Sequence, residues 1–153
     1  MQALLSNPWY VFLAPCMFIV MEIISIGMHK YLQHGPLWAL HEDHHRYTKG
    51  KWEKNDIFSF FFSILSILLL VTGFLGGLDI RFWLGIGMLC YGMGYFLYHD
   101  IVFHKRVKLH YRPNNRYLKR VINAHRMHHQ KSTDHEGVSF GFFFVGKKYD
   151  PAT

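Results

Sequence analysis

Ten of the twelve histidines in this 153-residue chain fall into a pattern that occurs twice. His29-Lys-Tyr-Leu-Gln-His34 precedes His41-Glu-Asp-His44-His45, and His99-Asp-Ile-Val-Phe-His104 precedes His125-Arg-Met-His128-His129. Each half reads HxxxxH, then HxxHH. On a helix the outer histidines of HxxHH lie one turn apart and the middle one three residues on, so all three are expected on one metal-binding face. The HxxxxH pairs are different. Five residues rotate by roughly 140° on an ideal helix, so the helix is expected to end or bulge between them. Neutral imidazole suits iron, zinc, copper and nickel. Ten histidines are too many for one ion, whereas two ions with four or five ligands each use them all. Two adjacent metals, about 3.5–4 Å apart in hydrolytic sites, are an arrangement that can activate dioxygen or clamp an oxygen-centred reaction. Redox chemistry favours iron over zinc, although spacing alone does not exclude zinc.

Other polar residues stand near this pattern. Glu42, Asp43 and Asp100 lie inside the clusters, either orienting ligand imidazoles through the far ring nitrogen or simply solvated. His110 sits in a basic loop and reads as a surface residue. His135, between Asp134 and Glu136, reads either as a partner behind the ligands or as a loop cap. Glu22 is a carboxylate inside an apolar run, costly there and a functional candidate by default. It precedes His29 by seven residues and so shares nearly the same helical face, pointing toward the metals. Tyr95, one turn before His99, reads as a packing residue.

The elements that must carry these residues are membrane helices. Half the chain is apolar, 18% is aromatic and only 18% is charged, below the usual quarter for soluble proteins. Disorder and a disulfide scaffold do not fit; Cys16 and Cys90 lie in apolar runs as reduced packing residues. Trp9–Met28 carries one charge, Glu22, and is expected as a retained span rather than a signal peptide. Ile57–Leu78 and Phe82–Tyr98 carry none and flank a turn at Gly73–Asp79, a helical hairpin. At 1.5 Å per residue, each can cross a core of about 30 Å. The expected fold is an all-α integral membrane domain over 1–153, with spans near 9–28, 57–74 and 81–98. Three or four transmembrane helices would support a histidine-rich cap of short helices from 29–56 and 99–136. Sixteen of the seventeen Lys and Arg, all but Arg81, fall on the side that holds every histidine. Excess positive charge places that side in the cytoplasm. The run Val138–Val145 is too short to cross as a helix. Breaks at Gly35-Pro36 and Pro113-Asn114-Asn115 precede the two HxxHH helices, and Tyr117, Leu118, Val121, Ile122, His125 and His129 form one stripe of the second.

The histidine set resembles that of the membrane fatty acid hydroxylase superfamily, integral-membrane di-iron oxygenases. The contexts His34-Gly-Pro-Leu-Trp38, His41-Glu-Asp-His-His45 and His135-Glu-Gly-Val-Ser-Phe-Gly-Phe142 are similar to its carotene-hydroxylating branch, with the match running from about residue 29 to 150. That resemblance implies ten histidine ligands for two non-haem iron ions: His29, His34, His41, His44, His45, His99, His104, His125, His128 and His129. Glu22, Asp100 and His135 would lie behind them. It implies insertion of oxygen from O2 at C3 of the β-ionone ring of β-carotene, giving cryptoxanthin and zeaxanthin in a bacterial inner membrane. The substrate would arrive from the bilayer, and electrons from an external donor such as reduced ferredoxin. The basic face suits an acidic electron-transfer protein or anionic lipid; no nucleic-acid partner is expected. The superfamily is usually drawn with four spans in two hairpins, and three are evident here.

Other readings use the same residues differently. A fatty acid or sterol hydroxylase or desaturase would share the metal core. A metal transporter would place ligands near the bilayer midplane, where Glu22 is the one ionisable residue. A membrane cytochrome needs histidine pairs within spans, and residues 46–98 contain no histidine.

Overall fold

The computed structural model describes residues 7–46, 52–107, 113–130 and 139–151. The described residues form helices and loops with no strand. Helix α1 (Leu13–Gly27) is preceded by a tight turn at Pro8–Phe12 and widens into a π-helical turn at Met28–Gln33. A short α2 (Trp38–His45) follows, then α3 (Asp56–Leu75) and α4 (Ile80–Tyr95). A second π-helical stretch, Phe96–Phe103, continues α4, and α5 is Arg116–Gln130. Three continuous helical stretches are long and apolar enough to cross a membrane: Pro8–Gln33, Asp56–Leu75 and Ile80–Phe103. They correspond to the three expected spans, the first and third extended by their π turns.

Two compact units make up the chain, Met1–Met21 with Asp56–Gly94, and Glu22–Asn55 with Tyr95–Thr153. In the first unit α3 and α4 form the expected hairpin. Gly77 (φ 84°) and Leu78 (φ 61°) turn the chain between them, and the left-handed geometry is cheap only for glycine. Small residues bring the helices close, as is usual where lipid offers no hydrophobic drive. A Cβ on Gly87 would lie 2.4 Å from the Ala14 carbonyl oxygen of α1. Ser66 donates to the Gly85 carbonyl at 3.0 Å, and Phe18 meets Tyr91 edge-on at 5.4 Å. Phe60, Phe61, Ile64, Ile67, Leu68 and Val71 of α3 stay exposed, the surface a lipid-facing helix presents. Cys16 and Cys90 are free, and both are exposed rather than packed in the interior.

The second unit holds the histidines. Asn115 starts α5, its side chain accepting from the Tyr117 and Leu118 N–H groups at 2.7 and 3.3 Å, an N-cap. The buried face of α5 is Leu118, Val121, Ala124 and His128, rotated from the expected stripe so that Tyr117 is exposed. Val121 and Ala124 pack with Val145 and Tyr149, flanked by Phe103 and Met127. Arg116 and Arg120 both reach the Asp150 carboxylate, at 3.1 and 2.5 Å. These contacts tie residues 139–150, a strap with a single helical turn at Lys147–Tyr149, onto α5.

Candidate metal centre

The two π turns resolve the HxxxxH problem. His34 N–H donates to the His29 carbonyl at 3.1 Å and His104 N–H to that of His99 at 3.0 Å. These are i to i+5 bonds, the signature of a π turn. The widened turn stacks residues five apart, so the paired rings lie 5.1 Å and 4.6 Å between centroids.

The histidines separate into two groups. His29, His34, His41, His45 and His128 form one, and His44, His99, His104 and His125 the other; within each, one nitrogen per ring lies within 4.8 Å of all the others. The histidines of each HxxHH helix, expected on one face, are divided between the groups. His41 and His45 are one turn apart and stay together, but successive residues on a helix differ by about 100°, so His44 faces the other group. His128 crosses in the opposite sense. The first group therefore takes the HxxxxH pair and both outer histidines of the first half with the middle histidine of the second, and the second takes the other HxxxxH pair, His125 and the middle histidine of the first half. His129 lies between them. It stacks on His45 at 4.4 Å and lies 4.5, 4.8 and 4.8 Å from the rings of His125, His104 and His44. Its Nε2 is buried without a hydrogen-bond partner. In the repeat it is the counterpart of His45.

The ring nitrogens converge in pairs. Nε2–Nε2 separations are 3.0 Å for His34–His128, 3.1 Å for His41–His45, 3.0 Å for His44–His99 and 2.9 Å for His104–His125. With metal–nitrogen bonds of about 2.1 Å, nitrogens at right angles around one ion lie about 3 Å apart. The protons are assigned by the far nitrogens. His44 Nδ1 donates to Glu53 at 2.9 Å and His99 Nδ1 to Asp100 at 2.9 Å. Ionised carboxylates only accept, so each neutral ring turns an Nε2 lone pair toward the other. Two lone pairs at 3.0 Å repel unless a cation lies between them. The donor set fits a metal ion.

Neutrality follows from burial. Desolvation, and then the neighbouring histidines, hold the pKa of His44 and His125 well below the usual histidine value. His45 is lowered for the same reasons, and His128 is pushed down to about 2. Burial, followed by His129, Arg106 and His41, lowers His104 to about 3; burial, followed by His41 and His34, lowers His129 to about 4. Burial also lowers His41, against the opposing pull of Asn55 and Asp43. Neutral imidazole is the form that binds metal.

The partners behind the ligands are mostly ones that spacing had not singled out. Asn55 Oδ1 accepts from His41 Nδ1 at 2.7 Å. Glu53 holds His44 and is paired with Arg106 at 2.6 Å. The Phe140 carbonyl meets His29 Nδ1 at 3.3 Å. Asp100 Oδ1 lies 2.9 Å from His99 Nδ1. Asp43 instead accepts the Lys54 N–H at 2.7 Å, and Glu42 pairs with exposed Arg46 at 2.7 Å. Tyr95 does more than pack: its ring stacks on His99 at 4.4 Å with its hydroxyl 3.4 Å from Nε2. Glu22 is fully buried, and its Oε1 accepts the main-chain N–H groups of Phe142, Phe143 and Phe144. His110 and His135 lie outside the described residues.

The fatty acid hydroxylase family model matches residues 14–147, which include all ten clustered histidines. The chain belongs to the fatty acid hydroxylase family. Among its relatives is the β-carotene hydroxylase of Pantoea ananas, 41% identical over 137 residues that cover 90% of this chain and 78% of that one. The β-carotene hydroxylase of Pseudescherichia vulneris is 42% identical over 132 residues, covering 86% of this chain and 74% of the relative. A chloroplastic β-carotene hydroxylase of Capsicum annuum is 36% identical over 147 residues, covering 88% of this chain and 45% of its own length. No solved structure matches the chain. Within this family the histidine groups are compatible with a metal site and the three long apolar helices with an integral membrane protein.

Proposed function

We propose that this chain is a non-haem di-iron monooxygenase that hydroxylates C3 of the β-ionone ring of β-carotene, giving cryptoxanthin and then zeaxanthin. The observation that carries the reading is the convergence of ring nitrogens in two groups within one compact unit, with the His44 and His99 Nε2 lone pairs turned on each other, an arrangement compatible with two neighbouring cations. Likeness to named β-carotene hydroxylases over most of both chains supplies the substrate.

His29, His34, His41, His45 and His128 would hold one ion, and His44, His99, His104, His125 and His129 the other. Bound iron supplies the redox chemistry with O2, inserting one oxygen atom into a C–H bond while the other leaves as water, on two electrons and two protons. This chain's residues supply the rest. Glu53, Asp100 and Asn55 fix ring orientation and tautomer. Tyr95 holds its hydroxyl beside His99 Nε2. The buried aromatics exclude water from an unactivated C–H bond that offers no charge to grip, so selectivity comes from position. The excess of Lys and Arg beside the histidines supports a cytoplasmic site in a bacterial inner membrane, with reduced ferredoxin or a similar acidic protein as electron donor. Glu22, already engaged by three main-chain N–H groups, argues against a midplane transport site.

The test is expression in cells that accumulate β-carotene, followed by pigment extraction. Cryptoxanthin and zeaxanthin are expected. Unchanged β-carotene beside hydroxylated lipid or sterol would move the activity to the fatty acid or sterol reading.

A further inference from the structure

Glu22 and the strap Phe140–Phe144 form an assembly that metal ligation alone does not require. Glu22 Oε1 accepts N–H groups from Phe142, Phe143 and Phe144 at 2.9, 2.8 and 3.1 Å. Three successive main-chain donors on one carboxylate oxygen are charge-assisted bonds and match a group that is otherwise expensive inside a span. The strap closes tightly here: a Cβ on Gly141 would meet the Phe144 carbonyl oxygen at 2.8 Å and Glu22 Oε1 at 3.2 Å. Tyr117 donates its hydroxyl to the Phe143 carbonyl, and Tyr98 meets the Phe143 ring at 5.5 Å.

Pinned this way, the strap presents Phe142 to the histidines. Phe142 is 5% exposed. It stacks on His29 at 5.6 Å with planes 12° apart, meets His99 edge-on at 5.4 Å, and meets Tyr95 at 4.7 Å. His29 belongs to one histidine group and His99 to the other, so one aromatic ring touches both groups.

We propose that Phe142 determines which carbon of an apolar ring reaches the metal pair, and that Glu22 is the positioning residue that sets Phe142 through the strap. The inference rests on the carotenoid reading. A hydrocarbon ring has neither charge nor hydrogen-bonding groups, so neighbouring methylenes differ only by how a rigid wall stops them. In an apolar pocket, one methylene of fit is worth about 10-fold or more in discrimination.

The experiment compares wild type with Phe142→Ala, Phe142→Leu, Glu22→Gln, Glu22→Leu and the Glu22→Gln/Phe142→Ala pair in β-carotene-producing cells. Folded protein, iron per chain and the full product distribution are measured together. Phe142→Ala is expected to keep its iron and shift the ratio of 3-hydroxylated to other products by about 10-fold, with Phe142→Leu shifting it less. Glu22→Gln and Glu22→Leu should shift it in the same direction, and the double variant should match Phe142→Ala, since Glu22 acts through that ring. A wild-type distribution in both Phe142 variants, whatever their yield, overturns the role of Phe142. Loss of protein and iron in the Glu22 variants with an unchanged distribution makes Glu22 purely structural. A wild type that yields no hydroxycarotenoid overturns the carotenoid reading and this inference together, whereas an active wild type with unaltered variants overturns this inference alone.

Discussion

Removing a single carboxylate behind the second histidine group should loosen one ion and leave the other. Asp100 accepts from His99 Nδ1 and Glu53 from His44 Nδ1, both at 2.9 Å. Both imidazoles belong to the same group. The first group is held differently, through Asn55 on His41 and the Phe140 carbonyl on His29. Losing such a partner typically weakens metal binding by about 10- to 100-fold, or about 1.4–2.7 kcal/mol. Asp100→Asn keeps an acceptor oxygen without the charge and should fall at the lower end. Glu53→Ala also deprives Arg106 of an ion pair at 2.6 Å and should fall at the upper end. The assay is dialysis of iron-loaded protein against graded chelator, with iron per chain measured at each step. Wild type should lose its two ions at similar chelator strengths. Asp100→Asn and Glu53→Ala should show a plateau at one ion per chain, and Asn55→Ala should show a plateau from loss of the other ion. Simultaneous loss of both ions in all three variants would refute the division into two groups with separate supports.

Acid should destabilise the metal-stripped protein. The folded-state pKa values of His128 (about 2), His104 (about 3) and His129 (about 4) lie below the unfolded value of about 6.5, so the unfolded chain binds more protons. Stability is unaffected well above pH 6.5 and falls as pH drops from there toward 4, by up to about 1.4 kcal/mol per pH unit per histidine. Thermal unfolding across that range checks it, and a flat profile down to pH 4.5 would contradict it. His128→Ala should abolish hydroxylation while His110→Ala keeps most of it; equal loss in pigment assays would reassign His110. Gly87→Leu should sharply lower the yield of folded protein in membranes, because the added Cβ starts 2.4 Å from the Ala14 carbonyl oxygen; normal accumulation would show that α1 and α4 can separate there.

What could be read from the chain follows from period and cost. Long apolar runs marked the spans, and ten histidines at repeated spacing marked the site. The need for a bulge in HxxxxH followed from rotation per residue and became two π turns. The exchange of His44 and His128 between groups was not legible, because it depends on which helix faces which. Glu53 and Asn55 lie in the loop after α2, where no periodicity singles them out. The Phe140 carbonyl is main chain and carries no sequence signal. Glu22 was conspicuous through its burial cost, but its partners are N–H groups some 120 residues away. Glu22 is buried in the unit that holds the histidines, and three of its contacts are to the strap.

A centre of two histidine groups requires two ions per chain. Iron quantified in protein purified without chelator, with hydroxylation measured as iron is added back to stripped enzyme, tests it most directly. Activity should rise until two irons are bound per chain and then level off. Full activity at a reproducible single iron per chain would contradict the two-group centre.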